Sequence, residues 1–301
     1  MKLSKRFEGC IICGAIGDAY GSAFENVNKK EEEKTTFYLF GKPKEETLHW
    51  KITDDTQLTL ATSEVIIEDT SINMNAFAQK YAEYFRKGKI TGIGASTLKA
   101  FTELNAGIHW RFTGRKGEYA AGNGVAMRVA PLAFFENISR EQIRDFSIIT
   151  HNNDEVYVGA LCVWFAIKSA LNNEWTGEEN LIELLIPKLP DTRLRDRLIA
   201  IKDIDDLLEI GKKGNSGYVV DSIPLAIAAA NMVKQLGVDQ MFKKLIEIGG
   251  DTDTNCSIAG QISGALLGIE ELSLDLIDKL KELPEYSWIE ETIINFNARL
   301  F

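Results

Sequence analysis

The chain has 301 residues, 45% hydrophobic and 26% charged, ordinary proportions for a globular protein with a sizeable core. Lys and Arg total 34 against 44 Asp and Glu, and the net charge of −10 argues against nucleic-acid or anionic-membrane partners, which require basic surfaces. With 6 prolines and no Ser/Gly/Pro-rich linker, one domain over residues 1–301 is expected.

The first element, GCIICGAIGDAYGSA, reads as a helix with Gly9, Cys13, Gly17 and Gly21 four residues apart. Such spacing predicts close backbone approach to a neighbour, since each glycine otherwise costs a helix about 1 kcal/mol. The segment mimics an export signal, but Glu8 and Asp18 interrupt its apolar run. No run approaches the ~20 apolar residues of a membrane span. Cys10 and Cys13 have zinc-like spacing without a second pair, so they and Cys162 and Cys256 are expected as buried thiols in a reducing, cytoplasmic setting.

Residues 26–50 carry charge runs and a Gly-Lys-Pro turn and read as a loop. KITDDTQLTLATSEVI (51–66) then places Thr53, Asp54 and Asp55 just before an apolar helical pattern. FAQKYAEYF (77–85) is a further amphipathic helix, and the glycine- and arginine-bearing stretch 107–121 a loop. In AGNGVAMRVAPLAFF, Gly122 and Gly124 flank Asn123 and open a helical run, a seat for phosphate or hydroxyl oxygens on backbone N–H groups. THNND sets His151 ahead of the apolar helix 160–171. A single histidine there is more often a hydrogen-bonded structural residue than a catalyst. After the loop 211–218 and a helix at 226–236 comes GGDTDTNCSIAGQISGALLG, with Asp251, Asp253 and Thr254 before a second small-residue helix. Period-3.6 patterns dominate and no hairpin series occurs, which predicts an all-α bundle of about a dozen helices.

Thr and Asp before a helix are good N-caps, but a cap uses one side chain. Three neighbouring oxygen side chains repel unless a cation lies among them, and this chain has two such triplets. Carboxylates and hydroxyls without thiols indicate a hard ion such as Mg²⁺, Mn²⁺ or Ca²⁺. Four aspartates and two threonines suit two ions sharing carboxylates, roughly 3.5–4 Å apart. The EF-hand pattern is absent.

Taken in order, GDAYGSAFE, TDDT, GNGVAMRVAP, TH and GGDTDT resemble the ADP-ribosylglycohydrolase family from about residue 8 to residue 268. The resemblance implies an all-α bundle with a binuclear Mg²⁺ or Mn²⁺ site in a cleft. Residue by residue, it implies metal ligands at Thr53, Asp54, Asp55, Asp251, Asp253 and Thr254, and a glutamate beside them at Glu25. It places Gly122, Asn123, Gly124 and His151 along the ADP-ribose cleft. Where the family often has proline before that glutamate, this chain reads Ala23-Phe24-Glu25. The implied reaction is hydrolysis of the bond between ribose C1″ and a protein side chain, arginine foremost, or of a small ADP-ribose conjugate. Asp54, Asp55 and Asp253 would activate water, with Glu25 positioning water or substrate. Residues 26–50 would form a lid; Trp110, Phe112 or Tyr218 would suit adenine, and Arg111 or Arg115 the diphosphate. A monomer is expected. Two other readings remain: a binuclear hydrolase of phosphate esters, and a non-catalytic ADP-ribose-binding relative.

Overall fold

Two antiparallel helices without a polar face form the centre of the molecule: α1 (Leu3–Ser22) and, near the other end of the chain, α15 (Thr252–Leu267). Every residue of α15 is buried, as a helix enclosed by others must be. Their small residues let the two backbones touch. A Cβ on Gly17 would fall on the Cys256 carbonyl, and one on Gly260 on the Cys13 carbonyl. This is the close approach that the four-residue glycine spacing predicts. All four cysteines are buried and free.

The structure, a computed structural model, describes residues 1–25 and 49–301. The expected loop and lid at 26–50 lie outside these apart from their last two residues. Around the central pair are α2 (Asp54–Glu68), α3 (Met74–Arg86), α4 (Ala95–Asn105), α5 (Trp110–Thr113), α6 (Ala130–Ala133), α7 (Arg140–Ile148) and α8 (Asp154–Leu171). There follow α9 (Leu181–Leu185), α10 (Arg193–Ile201), α11 (Leu207–Gly211), α12 (Val219–Asn231), α13 (Val233–Leu236), α14 (Val238–Ile248), α16 (Leu274–Lys281) and α17 (Tyr286–Leu300). The described residues thus form seventeen α-helices, more than the dozen expected. Several are single turns of four residues, too short for periodicity to register. One parallel pair, β1 (Arg115–Lys116) and β2 (His151–Asn152), is the sheet content of the described residues. Part of it lies in the stretch 107–121, which is therefore less irregular than its composition suggested. No described helix is long and apolar enough to cross a membrane.

Phe7 of α1 stacks on Phe296 of α17 at 3.8 Å and meets Phe134 edge-on at 5.1 Å, each such pair contributing about 0.5–1.5 kcal/mol beyond burial. Three loops are then drawn to one end of the central pair. Ser22 Oγ donates to Lys51 O at 2.8 Å, seating the approach to α2 beside the end of α1. The loop 212–218 is held to the Gly122 segment by Val219 N–H···Ala121 O at 2.9 Å and Asn123 N–H···Gly217 O at 3.1 Å. The same loop receives Asp251 N–H on Asn215 O at 2.9 Å.

Candidate active site

The N-termini of α2 and α15 face each other at this end. Thr53 caps α2 by accepting from Asp55 N–H at 3.3 Å, so the capping role is real there and accounts for one side chain. At α15 it accounts for none: Asp251 occupies the cap position without a side-chain cap bond. Gly249 and Gly250 at φ 75° and 81° turn the chain sharply into that helix, a conformation glycine adopts freely. The alternation in GGDTDT then has a geometric reading. Thr252 turns back to donate to Gly21 O at 2.8 Å and locks α15 to α1, while Asp251, Asp253 and Thr254 border the cavity.

One hydrogen bond joins the triplets, and another ties the second of them to the Gly122–Gly124 turn. Thr254 Oγ1 donates to Asp55 Oδ2 at 3.2 Å, and Asn123 Nδ2 to Asp251 Oδ2 at 2.6 Å. Beneath them lies Asp18 of α1, fully buried and absent from the expected ligands. It accepts from Thr53 Oγ1 (2.7 Å), Thr53 N–H (2.9 Å), Thr56 N–H (3.0 Å) and Thr56 Oγ1 (2.6 Å). Asp18, Asp55 and Asp253 each offer an oxygen within 4.8 Å of the others, a cluster that could hold a metal ion. Asp18 has most of its acceptor capacity engaged, whereas Asp55 Oδ1 is buried with no partner among the described residues. Asp18 therefore orients Thr53 by accepting its hydroxyl hydrogen bond, which leaves one Asp55 oxygen for a cation the cluster could hold.

The charges point the same way. Burial, reinforced by Asp18 and Asp253, pushes Asp54 up to about 7. Burial and the adjacent Asp251 push Asp253 up to about 8. Burial holds Asp18 at about 6 despite its hydrogen bonds from Thr56 and Thr53, and it raises Asp55 and Asp251 as well. Carboxylates so close together in a low-dielectric pocket resist ionising unless a cation compensates them. The oxygen-only donor set and the orphaned Asp55 oxygen fit a hard divalent ion.

A cavity of about 630 Å³ opens above this cluster. Its wall includes all the expected residues: Glu25, Thr53, Asp54, Asp55, Gly122, Asn123, Gly124, His151, Asp251, Asp253 and Thr254. Glu25 stands half-buried in the turn after α1. The Gly122–Gly124 turn differs from expectation: it leads into a 3-10 turn at Ala126–Arg128, and its Asn123 N–H is used on Gly217. The open helix N-terminus on this wall belongs to α4, where Gly94 provides no side-chain cap and Ser96 and Thr97 line the cavity. Reciprocal bonds between Gln57 and Thr91 (2.8 and 3.1 Å) hold the approach to α4 near Asp54. His151 pairs with Arg115 across the two strands and is buried; burial first, then Arg128 and Arg115, lower it to about 3. Of the loop residues considered, Arg115 reaches the cavity, whereas Trp110 is buried beneath Arg111, Phe112 projects outward and Tyr218 is absent from the lining. Tyr119 reaches it unanticipated. A lone acid in a small-residue helix was the available signal for Asp18, and the GIGAST glycines that for α4.

The ADP-ribosylglycohydrolase family profile matches residues 1–301. The chain is 26% identical to ADP-ribosylhydrolase ARH3 of Gallus gallus, over 89% of this chain and 86% of that protein. It is 26% identical to ADP-ribosylarginine hydrolase Tri1 of Pseudomonas putida (strain GB-1), over 91% and 74% respectively. An uncharacterized protein of Archaeoglobus fulgidus is 27% identical over 87% of this chain and 88% of its own length. Among solved structures, an ADP-ribosylglycohydrolase-related protein complex superposes with a TM-score of 0.66 at 21% identity, covering all of both chains. The match along the whole chain, with both acidic triplets gathered on one cavity, makes this protein a member of the ADP-ribosylglycohydrolase family of hydrolases.

Proposed function

We propose that the chain hydrolyses the glycosidic bond between ADP-ribose and a modified protein side chain, arginine foremost, using two Mg²⁺ or Mn²⁺ ions. The observation that carries this reading is the orphaned Asp55 oxygen amid the carboxylates of Asp18, Asp54, Asp251 and Asp253, in a chain of this family. Arginine is favoured by the similarity to the hydrolase Tri1. Thr53, Asp54, Asp55, Asp251, Asp253 and Thr254 would hold the ions. Bound there, divalent cations supply a Lewis acid for ribose hydroxyls and for water.

The chain's own groups do the rest. Water adds to C1″ as its bond to the side-chain nitrogen breaks, and the departing guanidine keeps its electron pair and takes a proton. Positive charge grows on the ribose ring as that bond stretches, and Asp54, Asp55 and Asp253 face it. Glu25 positions water or the ribose from the end of α1. Gly122, Asn123, Gly124 and His151 line the substrate side, with Arg115 and the open end of α4 suited to the diphosphate. We take residues 1–301 as one such domain, a cytoplasmic monomer acting on ADP-ribosylated protein or small ADP-ribose conjugates.

The test is release of ADP-ribose from arginine-, serine- and O-acetyl-linked substrates, with and without each ion, for wild type and Asp253→Ala. Ion-dependent release from the arginine conjugate, lost in the variant, is expected. Release of inorganic phosphate from an ester instead, or none from any conjugate, would refute the reading.

A further inference from the structure

His151 is tied to the fold through one atom. Its Nδ1 lies 2.8 Å from Thr150 Oγ1, and that oxygen lies 2.7 Å from Arg128 Nη2. Arg128 and Thr150 have no exposed surface, and His151 is 3% exposed. A guanidinium only donates, so Thr150 Oγ1 accepts from Arg128. The hydroxyl has one proton of its own, and its other hydrogen-bond neighbour among the described residues is His151 Nδ1. Were Nδ1 also protonated, two donors would converge on one oxygen and the Thr150 proton would be buried without an acceptor, which is costly. Oγ1–H therefore donates to Nδ1, and the imidazole proton sits on Nε2. That nitrogen faces the cleft: a Cβ built on Gly122 would lie 3.4 Å from it, and no described group accepts from it. Arg128 serves the same wall a second time by donating to the carbonyl of Gly124. It lies over the rings of Tyr81 and Phe146, 5.2 Å from each centroid.

We infer that Arg128 and Thr150 are positioning residues that hold His151 as its neutral Nε2–H tautomer, a fixed donor aimed at an acceptor oxygen of the bound substrate. The role toward substrate rests on the proposed activity; the tautomer does not. A ring held this way donates without accepting, so it selects a phosphate or carbonyl-type oxygen over a hydroxyl that must itself donate. Burial and the nearby Arg128 and Arg115 keep a second proton off the ring.

The experiment is ¹⁵N NMR of the full chain labelled at histidine. With 3 histidines, the spectrum of a His151→Gln variant assigns the resonances. Wild type at pH 7 should show a protonated Nε2 and an unprotonated Nδ1 for His151. Thr150→Val keeps the shape but not the hydroxyl, and should mix the tautomers or move the proton to Nδ1. It should also raise KM for the ADP-ribosylated substrate by about tenfold, the loss of roughly one hydrogen bond, with kcat little changed. Thr150→Ser should restore both readings. A wild-type spectrum with the proton on Nδ1 overturns the inference without any variant having to fold. So does a Thr150→Val protein with unchanged tautomer and unchanged KM. An inactive chain that shows the Nε2–H pattern, lost in Thr150→Val, supports the tautomer and counts against the proposed activity alone.

Discussion

Asp55 divides its two oxygens between opposite fates, Oδ2 accepting from Thr254 and Oδ1 buried with no donor among the described residues. Its folded-state pKa is raised, by burial first and then by Asp18 and Asp253. The native state therefore holds a proton that the unfolded chain gives up near its ordinary value of about 3.9, and stability falls as pH rises above that value. Two outcomes follow for Asp55→Asn, read by thermal unfolding at pH 8. Without divalent ions the variant should melt above wild type, because a repelled carboxylate is gone. With Mg²⁺ or Mn²⁺ at about a hundred times Kd the order should reverse, since wild type gains about 2.7 kcal/mol and the variant little. Equal shifts in both proteins would remove Asp55 from the ion-binding set. His151 titrates with the opposite sign. Its folded value of about 3 lies below the ordinary 6.5, so stability present above pH 6.5 is lost as pH falls from there toward 3. Urea midpoints at pH 7 and pH 5 should show wild type losing about 2 kcal/mol more than His151→Gln, at about 1.4 kcal/mol per pH unit below 6.5.

The α1–α15 pair sets the positions of those residues. At Gly17 a methyl group would meet the Cys256 backbone, which cannot give way without moving α15. Gly17→Ala should cost about 1–3 kcal/mol and also weaken ion-dependent stabilisation, because Asp251, Asp253 and Thr254 ride on the displaced helix. Gly14→Ala meets the Gln261 side chain instead and should be milder on both counts. The glycine spacing was legible because a soluble helix has no other use for so many glycines on one face. Both acidic triplets were legible for a similar reason, exceeding what a helix cap can employ. Asp18 was legible only as a lone acid in a small-residue helix, since its donors Thr53 and Thr56 lie 35 and 38 positions away and no local pattern pairs them with it. The helix count fell short because the single-turn helices arise from tertiary packing, with no periodicity of their own.

For the molecule as a whole, a net charge of −10 must admit an anionic diphosphate. Screening should therefore help. At saturating divalent ion, raising ionic strength from about 0.01 M to 0.15 M shortens the Debye length from ~30 Å to ~8 Å, and kcat/KM should increase. A decrease in steady-state assays would point to a local basic field dominating the approach. The all-α architecture was legible from periodicity throughout the chain, whereas the convergence of the loops was not. It depends on backbone bonds such as Asn123 to Gly217 and Asp251 to Asn215, whose partners no local pattern announces.

The bond from Thr252 to Gly21 spans 231 positions, and that separation has a consequence in time. During synthesis α1 leaves the ribosome long before the helix that covers its small-residue face. At about 5–20 residues per second, that face waits on the order of ten seconds or more for its partner. Until then the emerging chain offers half a site and an uncovered hydrophobic helix to whatever chaperone meets it. The cluster of Asp18, Asp55 and Asp253 that could hold a cation is therefore complete only once translation has run through α15.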